Sequence, residues 1–158
     1  MSEMVDPHIG LLSYQDAFLK RTIAPVPTFY EKGLLVLMDG EGRDKRITNA
    51  LVEGRTVKAT VVFAYADPYE GELCFGVGYA VAEKFRGQGI ATDMLDRCIN
   101  DFRQGMKMPA FYVEAIVDAT NLASRRVCEK VLSTDAEPMI EELSGKPAFR
   151  YFKRVEQQ

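Results

Sequence analysis

Residues 76–95 read GVGYAVAEKFRGQGIATDML. An apolar, strand-like run ends at Ala82, and Gly87 and Gly89 then flank Gln88 in a bare turn beside Arg86. From there Ile90, Ala91, Met94, Leu95, Cys98, Ile99 and Phe102 recur at helical spacing, which predicts an amphipathic helix over 89–103, closed by Gly105. A glycine turn entering a helix N-terminus holds an anion, closes a tight turn, or does both. The run lacks the lysine and hydroxyl of a Walker loop and the first glycine spacing of a dinucleotide fingerprint, so in isolation it leaves these readings open.

Working outward, residues 73–82 form the strand before the turn, and Gly76 and Gly78 inside it mark a bulge or a close backbone approach. Upstream, Ser13 is a candidate cap for a short helix stopped by Pro25 and Pro27. Residues 34–38 and 47–52 read as strands separated by a polar loop over 41–46. Residues 56–65 alternate as a strand with antiparallel neighbours. Downstream, 110–117 is a buried strand broken by one acid, Glu114, and 118–120 lead into a second helix carrying Leu122, Val127 and Val131. Residues 139–143 and 148–155 form a terminal hairpin across Ser144-Gly145-Lys146-Pro147. The order of strands, helix, strand, helix, strands predicts one mixed α/β domain over 1–158.

Composition narrows the function. The 158 residues are 47% hydrophobic with a net charge of −3, which suits one buried core and gives nucleic acid no basic surface. No run approaches the roughly 20 apolar residues of a membrane span, and the start MSEMVDPHIG has no signal-peptide pattern. Cys74, Cys98 and Cys128 are odd in number and unpaired in spacing, which points to reduced thiols and a cytoplasmic protein. One histidine, His8, leaves no zinc set and no Ser-His-Asp triad, so no metal is expected.

A second motif decides among the readings of the turn. Arg86-Gly87-Gln88-Gly89-Ile90-Ala91 fits Q/R-x-x-G-x-G/A, and VEAIVDATNLASRRVCEK (113–130) follows at compatible spacing. Together these stretches resemble the GNAT superfamily of N-acetyltransferases, closest to its ribosomal-protein N-terminal acetyltransferase-like branch, over about residues 73–130. The resemblance implies the GNAT fold: a central, mostly antiparallel sheet with a splayed parallel strand pair, flanked by helices. It also implies acetyl-CoA as co-substrate, a primary amine (a protein N-terminus, a lysine or a small molecule) as acceptor, and direct attack in a ternary complex. A homodimer is common in such proteins.

The implied donor site is specific. Arg86, Gly87, Gln88, Gly89, Ile90, Ala91 and Thr92 would present N–H groups to the pyrophosphate, aided by the positive end of the helix dipole. Tyr79, Ala80 and Val81 match positions where the pantetheine arm adds to the sheet like a further strand. Asn121 matches the asparagine that reaches the CoA arm, or serves as a helix cap; Ser124 is a weaker candidate, and Arg125 and Arg126 are candidates for the 3′-phosphate. Catalysis needs a base for the amine and a proton for the departing thiolate. Glu114 is the candidate base, with an arginine salt bridge as its structural alternative. Many family members carry a tyrosine seven residues after the asparagine; here Cys128 stands there and is the candidate acid, with a small buried core cysteine as its commoner structural alternative and Tyr112 and Tyr151 as substitutes. That exchange, and Val131-Leu132-Ser133-Thr134 in place of a usual Gly-Phe, keep open a rival reading: a GNAT-fold sensor or scaffold that binds CoA without turnover.

Overall fold

The helix expected after the glycine turn organises the rest of the molecule. The computed structural model describes residues 6–157. Helix α2 (Ile90–Met106) buries Met94, Leu95, Cys98, Ile99 and Phe102, the spacing of one helical face. Phe102 stacks on Phe63 with ring centroids 4.4 Å apart and meets Phe75 and Phe111 edge-on at 4.8 and 5.5 Å. These rings fasten α2 to the sheet, and Phe102→Ala would cost about 3–5 kcal/mol.

The sheet has eight strands in the order β1-β2-β3-β4-β5-β6-β8-β7. They are β1 (Val26–Pro27), β2 (Leu35–Asp39), β3 (Arg46–Glu53), β4 (Thr56–Tyr65), β5 (Cys74–Val81), β6 (Ala110–Asp118), β7 (Glu137–Ile140) and β8 (Pro147–Glu156). Every pairing is antiparallel except β5 with β6. This parallel pair is joined by the α2 crossover, as parallel strands require. One face of the sheet carries α2 and α3 (Leu122–Val131). The other face carries α1 (Pro7–Lys20), whose Leu11 and Tyr14 pack with Ala50 and Val57. Gln15 clips α1 to the β3–β4 turn: its Oε1 accepts from the Val57 amide at 2.7 Å and its Nε2 donates to the Arg55 carbonyl at 3.0 Å.

Several sequence expectations need correcting. Helix α1 starts seven residues earlier than the Ser13 cap implied. Asp6 caps it by accepting from the His8 amide at 2.9 Å, and Pro7, which has no N–H to lose, opens the first turn. Helix α2 runs past Gly105 to Met106, because Met106 still packs on the core and Lys107 takes the left-handed C-cap at φ 53°. The stretch over 41–46 holds a 3-10 turn (Gly42–Asp44), and the penultimate strand is Glu137–Ile140, ahead of the predicted 139–143. Glu141 leaves the ladder because its amide and carbonyl close the hairpin loop onto Lys146 and Gly145. The bulge expected at Gly76 and Gly78 is also not there. β5 keeps unbroken register with β4 from Ala59↔Val81 to Tyr65↔Phe75, and the shifted register falls instead at Leu51/Val52 of β3. Gly78 has a different reason to be bare: a Cβ there would stand 3.4 Å from Pro7 Cγ, where α1 crosses the strand.

Candidate active site

The site begins where a ladder stops. β5 and β6 pair only through Cys74↔Tyr112, Phe75↔Val113 and Gly76↔Glu114, and beyond that apex the two strands part. Antiparallel pairs alternate between facing and turning away, and Ala82 N–H donating to Lys58 O together with Ala66 N–H donating to Cys74 O fixes which is which. Even-numbered β5 residues, Ala80 among them, bond β4. Val77, Tyr79 and Val81 therefore face β6: the Val77 amide still bonds Glu114 at the apex, while the Val77 carbonyl and the amides and carbonyls of Tyr79 and Val81 turn into the gap. Of the three residues expected to meet a ligand through the backbone, Tyr79 and Val81 face the gap, while the groups of Ala80 are committed to Thr60.

The gap opens into a cleft of about 930 Å³ that runs between β5, β6, the 83–92 loop and α3. At its head, Gly87 and Gly89 adopt φ 78° and 76°, a region that side-chain-bearing residues rarely enter, with nothing within 4 Å of where a Cβ would stand. Gly89 is also the N-cap of α2 and supplies no side-chain bond, so the amides of Ile90, Ala91 and Thr92 are left without a capping acceptor. Arg86 braces this turn: its Nε donates to the Val81 carbonyl at 3.1 Å and its guanidinium lies 3.2 Å from His8 Nδ1. Gln88 is exposed and does not line the cleft.

Helix α3 forms the opposite wall. Asn121 caps it, its Oδ1 accepting from the Ser124 amide at 3.1 Å, and both residues line the cleft. Arg125 is taken out of consideration for a ligand. It stacks over Phe149 at 4.0 Å and donates to the Tyr151 hydroxyl at 3.2 Å and the Ala119 carbonyl at 3.4 Å. Arg126 and Lys130, one turn apart, line the cleft instead.

The two catalytic candidates lie on opposite faces of the sheet. Val113 and Ala115 point into the core beneath α2 and α3, so Glu114 between them points to the other face. Its Oε2 accepts from Arg150 at 2.8 Å with the side chain 13% exposed, the salt bridge weighed as its alternative. Cys128 is wholly buried, and burial lifts its thiol from 9.0 to about 11, opposed in part by its hydrogen bond with Tyr79. It does not itself line the cleft. Tyr79 does, and its hydroxyl lies 3.0 Å from Cys128 Sγ and 2.8 Å from the Ser124 carbonyl. Of the other two tyrosines, Tyr151 is buried in the core, and Tyr112 sits on the Glu114 face, edge-on to Tyr69 at 4.9 Å.

Sequence reasoning missed part of the rim. Asp6, Pro7 and His8 reach the cleft from the start of α1, and Leu143, Ser144 and Lys146 reach it from the β7–β8 loop. These segments are brought together by the order of strands in the sheet. No local pattern marks them, although the Asp-Pro pair does mark the helix start that carries the first three. Among the described residues, no cluster of His, Cys, Asp or Glu is placed to hold a metal ion, and no helix is long and apolar enough to cross a membrane.

Comparison with known proteins gives this geometry its context. A family model described as an acetyltransferase (GNAT) domain matches residues 38–131. No curated protein matches the chain. Among solved structures, Mycobacterium smegmatis RimJ in complex with a CoA disulfide superposes with a TM-score of 0.57 at 17% identity, over 70% of this chain and 53% of that one. RimL, a ribosomal-protein alpha-N-acetyltransferase solved with coenzyme A, gives 0.53 at 18% identity, over 70% and 62%. The acetyltransferase yncA of Salmonella typhimurium, solved with acetyl-CoA, gives 0.53 at 18%, over 72% and 65%. The chain thus spans about half to two thirds of the length of these structures.

Proposed function

The chain belongs to the GNAT acetyltransferase family, and from that premise we propose that it moves the acetyl group of acetyl-CoA to a primary amine by direct attack in a ternary complex. The observation that carries this reading is the continuity between the opened strand pair and the uncapped helix. The free carbonyl of Val77, both backbone groups of Tyr79 and the amide of Val81, whose carbonyl Arg86 holds, lead along one edge of the cleft to the positive-φ glycines and open amides of α2. That track suits a ligand with an amide-bearing arm and a doubly charged anion at its far end, which is the form of acetyl-CoA. The pantetheine amides would continue the β5 ladder, and the pyrophosphate would lie across Gly87 to Thr92. Arg126 and Lys130 on α3, with Lys146 on the β7–β8 loop, are cations available to the remaining phosphate.

The acetyl end of such a ligand would come to the apex beside Gly76 and Glu114. The amine would approach on the Glu114 face, where Glu114 would accept the surplus proton directly or through water. Three free buried thiols favour a reducing compartment, in keeping with a cytoplasmic site of action. The similarity to RimJ and RimL favours a protein N-terminus among the possible amines.

The rival reading, a CoA-binding protein without turnover, is favoured by the engagement of Glu114 with Arg150 and by the complete burial of Cys128. One experiment separates the two. Acetyl-CoA should raise the melting temperature in either case. A panel of peptide N-termini, lysine peptides and polyamines, read by release of free CoA thiol, should then show amine-dependent turnover. Binding without thiol release from any amine would select the rival, and no thermal shift at saturating acetyl-CoA would remove both.

A further inference from the structure

We propose that Tyr79 receives the departing sulfur of CoA, donating its hydroxyl to the thiolate as the carbon–sulfur bond breaks. This rests on the transferase reading above and assigns a residue to the half of the reaction that Glu114 cannot serve. Glu114 lies on one face of the sheet, where an amine arrives; the departing thiolate needs a donor on the other face, beneath α3. Cys128 stands on that side but is shut off from the cleft. Tyr79 stands between them, with its backbone on the gap and its ring on the cleft wall.

The hydroxyl is built in from two sides. It donates to the Ser124 carbonyl at 2.8 Å, and the Cys128 thiol, 3.0 Å away, is placed to donate to the phenol oxygen. Burial, with the neighbouring thiol adding to it, holds the phenol well above its ordinary 10.0, so it keeps its proton throughout the working pH range. An arm laid along the gap from Val81 to the apex at Val77 covers four strand residues, about 13 Å, and passes Tyr79 midway, so its end lies about 7 Å further along the strand, a distance of the order of a tyrosine side chain's length.

The step balances without ionising the tyrosine. The amine nitrogen bonds to the acetyl carbon, the carbon–sulfur bond breaks and its electron pair goes to sulfur. The surplus amine proton passes to Glu114 or water. The phenol O–H swings from the Ser124 carbonyl to the sulfur and holds the charge by a hydrogen bond, and the thiolate takes its proton from solvent as CoA leaves. Cys128 S–H, still on the phenol oxygen, strengthens the phenol as a donor.

The test is Tyr79→Phe, which keeps the ring and removes only the hydroxyl. The expected result is a kcat lower by roughly 10- to 100-fold, with acetyl-CoA Kd and melting temperature close to wild type. A second readout does not respond to a structural role: the thiolate absorbance of bound CoA, titrated with pH. The sulfur should ionise at lower pH in the wild-type complex than in the Tyr79→Phe complex, by about one unit. A variant with kcat within about threefold of wild type, or with an unchanged thiol titration, would overturn the assignment. So would joint loss of acetyl-CoA binding and melting temperature, which would make Tyr79 only a tie between β5 and α3. A wild-type chain that binds acetyl-CoA but acetylates no amine would overturn the transferase reading, and this role with it.

Discussion

Two helix N-termini face the same cleft and are finished in different ways. Helix α3 begins at Asn121, whose side chain satisfies the Ser124 amide, whereas α2 begins at Gly89, which offers its own amides no side-chain acceptor. An asparagine cap is worth roughly 1 kcal/mol over alanine but only about a few tenths over glycine, so α2 leaves its amides open at little cost, in a turn whose positive φ glycine adopts freely and side-chain-bearing residues rarely enter. The difference separates two jobs: α3 is a wall held in shape by its own residues, and α2 is an anion receptor completed from outside.

Substitutions at the two ends should break this contrast to different degrees. Gly89→Arg forces a side chain into the left-handed turn and into the cradle, and acetyl-CoA affinity by calorimetry should fall by roughly 100-fold or more. Glu114→Gln leaves both helix ends alone. It should lower kcat by about 10- to 100-fold, most at low pH, with acetyl-CoA affinity unchanged; an unchanged pH–rate profile would return Glu114 to its salt bridge. Asn121→Ala should act mainly on stability, by about 1 kcal/mol in urea titration, with acetyl-CoA weakened by less than about tenfold. If Asn121→Ala weakened acetyl-CoA more than Gly89→Arg did, the two helix ends would have exchanged roles.

Much of this was legible in the sequence, and for identifiable reasons. The turn at 86–89, the helix after it and the strand at 56–65 follow from local pattern, because glycine geometry and apolar spacing act within a few residues. The two-motif spacing also carried the fold, since it implied a parallel pair opening beside α2, and β5 and β6 form that pair. Local pattern failed where a distant partner decides. Gly78 read as a bulge because its real neighbour, Pro7, is far away in the chain. Cys128 read as either a proton donor or a buried core thiol because the sequence cannot show that it lies wholly buried against the Tyr79 hydroxyl. Arg125 and Arg126 read alike, yet the ring of Phe149 claims one and leaves the other on the cleft.

The central claim is that the open end of α2 holds the pyrophosphate of acetyl-CoA, and Gly89→Asp tests it most directly. Aspartate tolerates the left-handed turn better than most residues and places a carboxylate where the phosphates would lie. Calorimetric titration with acetyl-CoA and with S-acetylpantetheine, which lacks the pyrophosphate, should show the first weakened by at least about tenfold and the second unchanged. Equal binding of acetyl-CoA by Gly89→Asp and the wild-type chain would contradict the account.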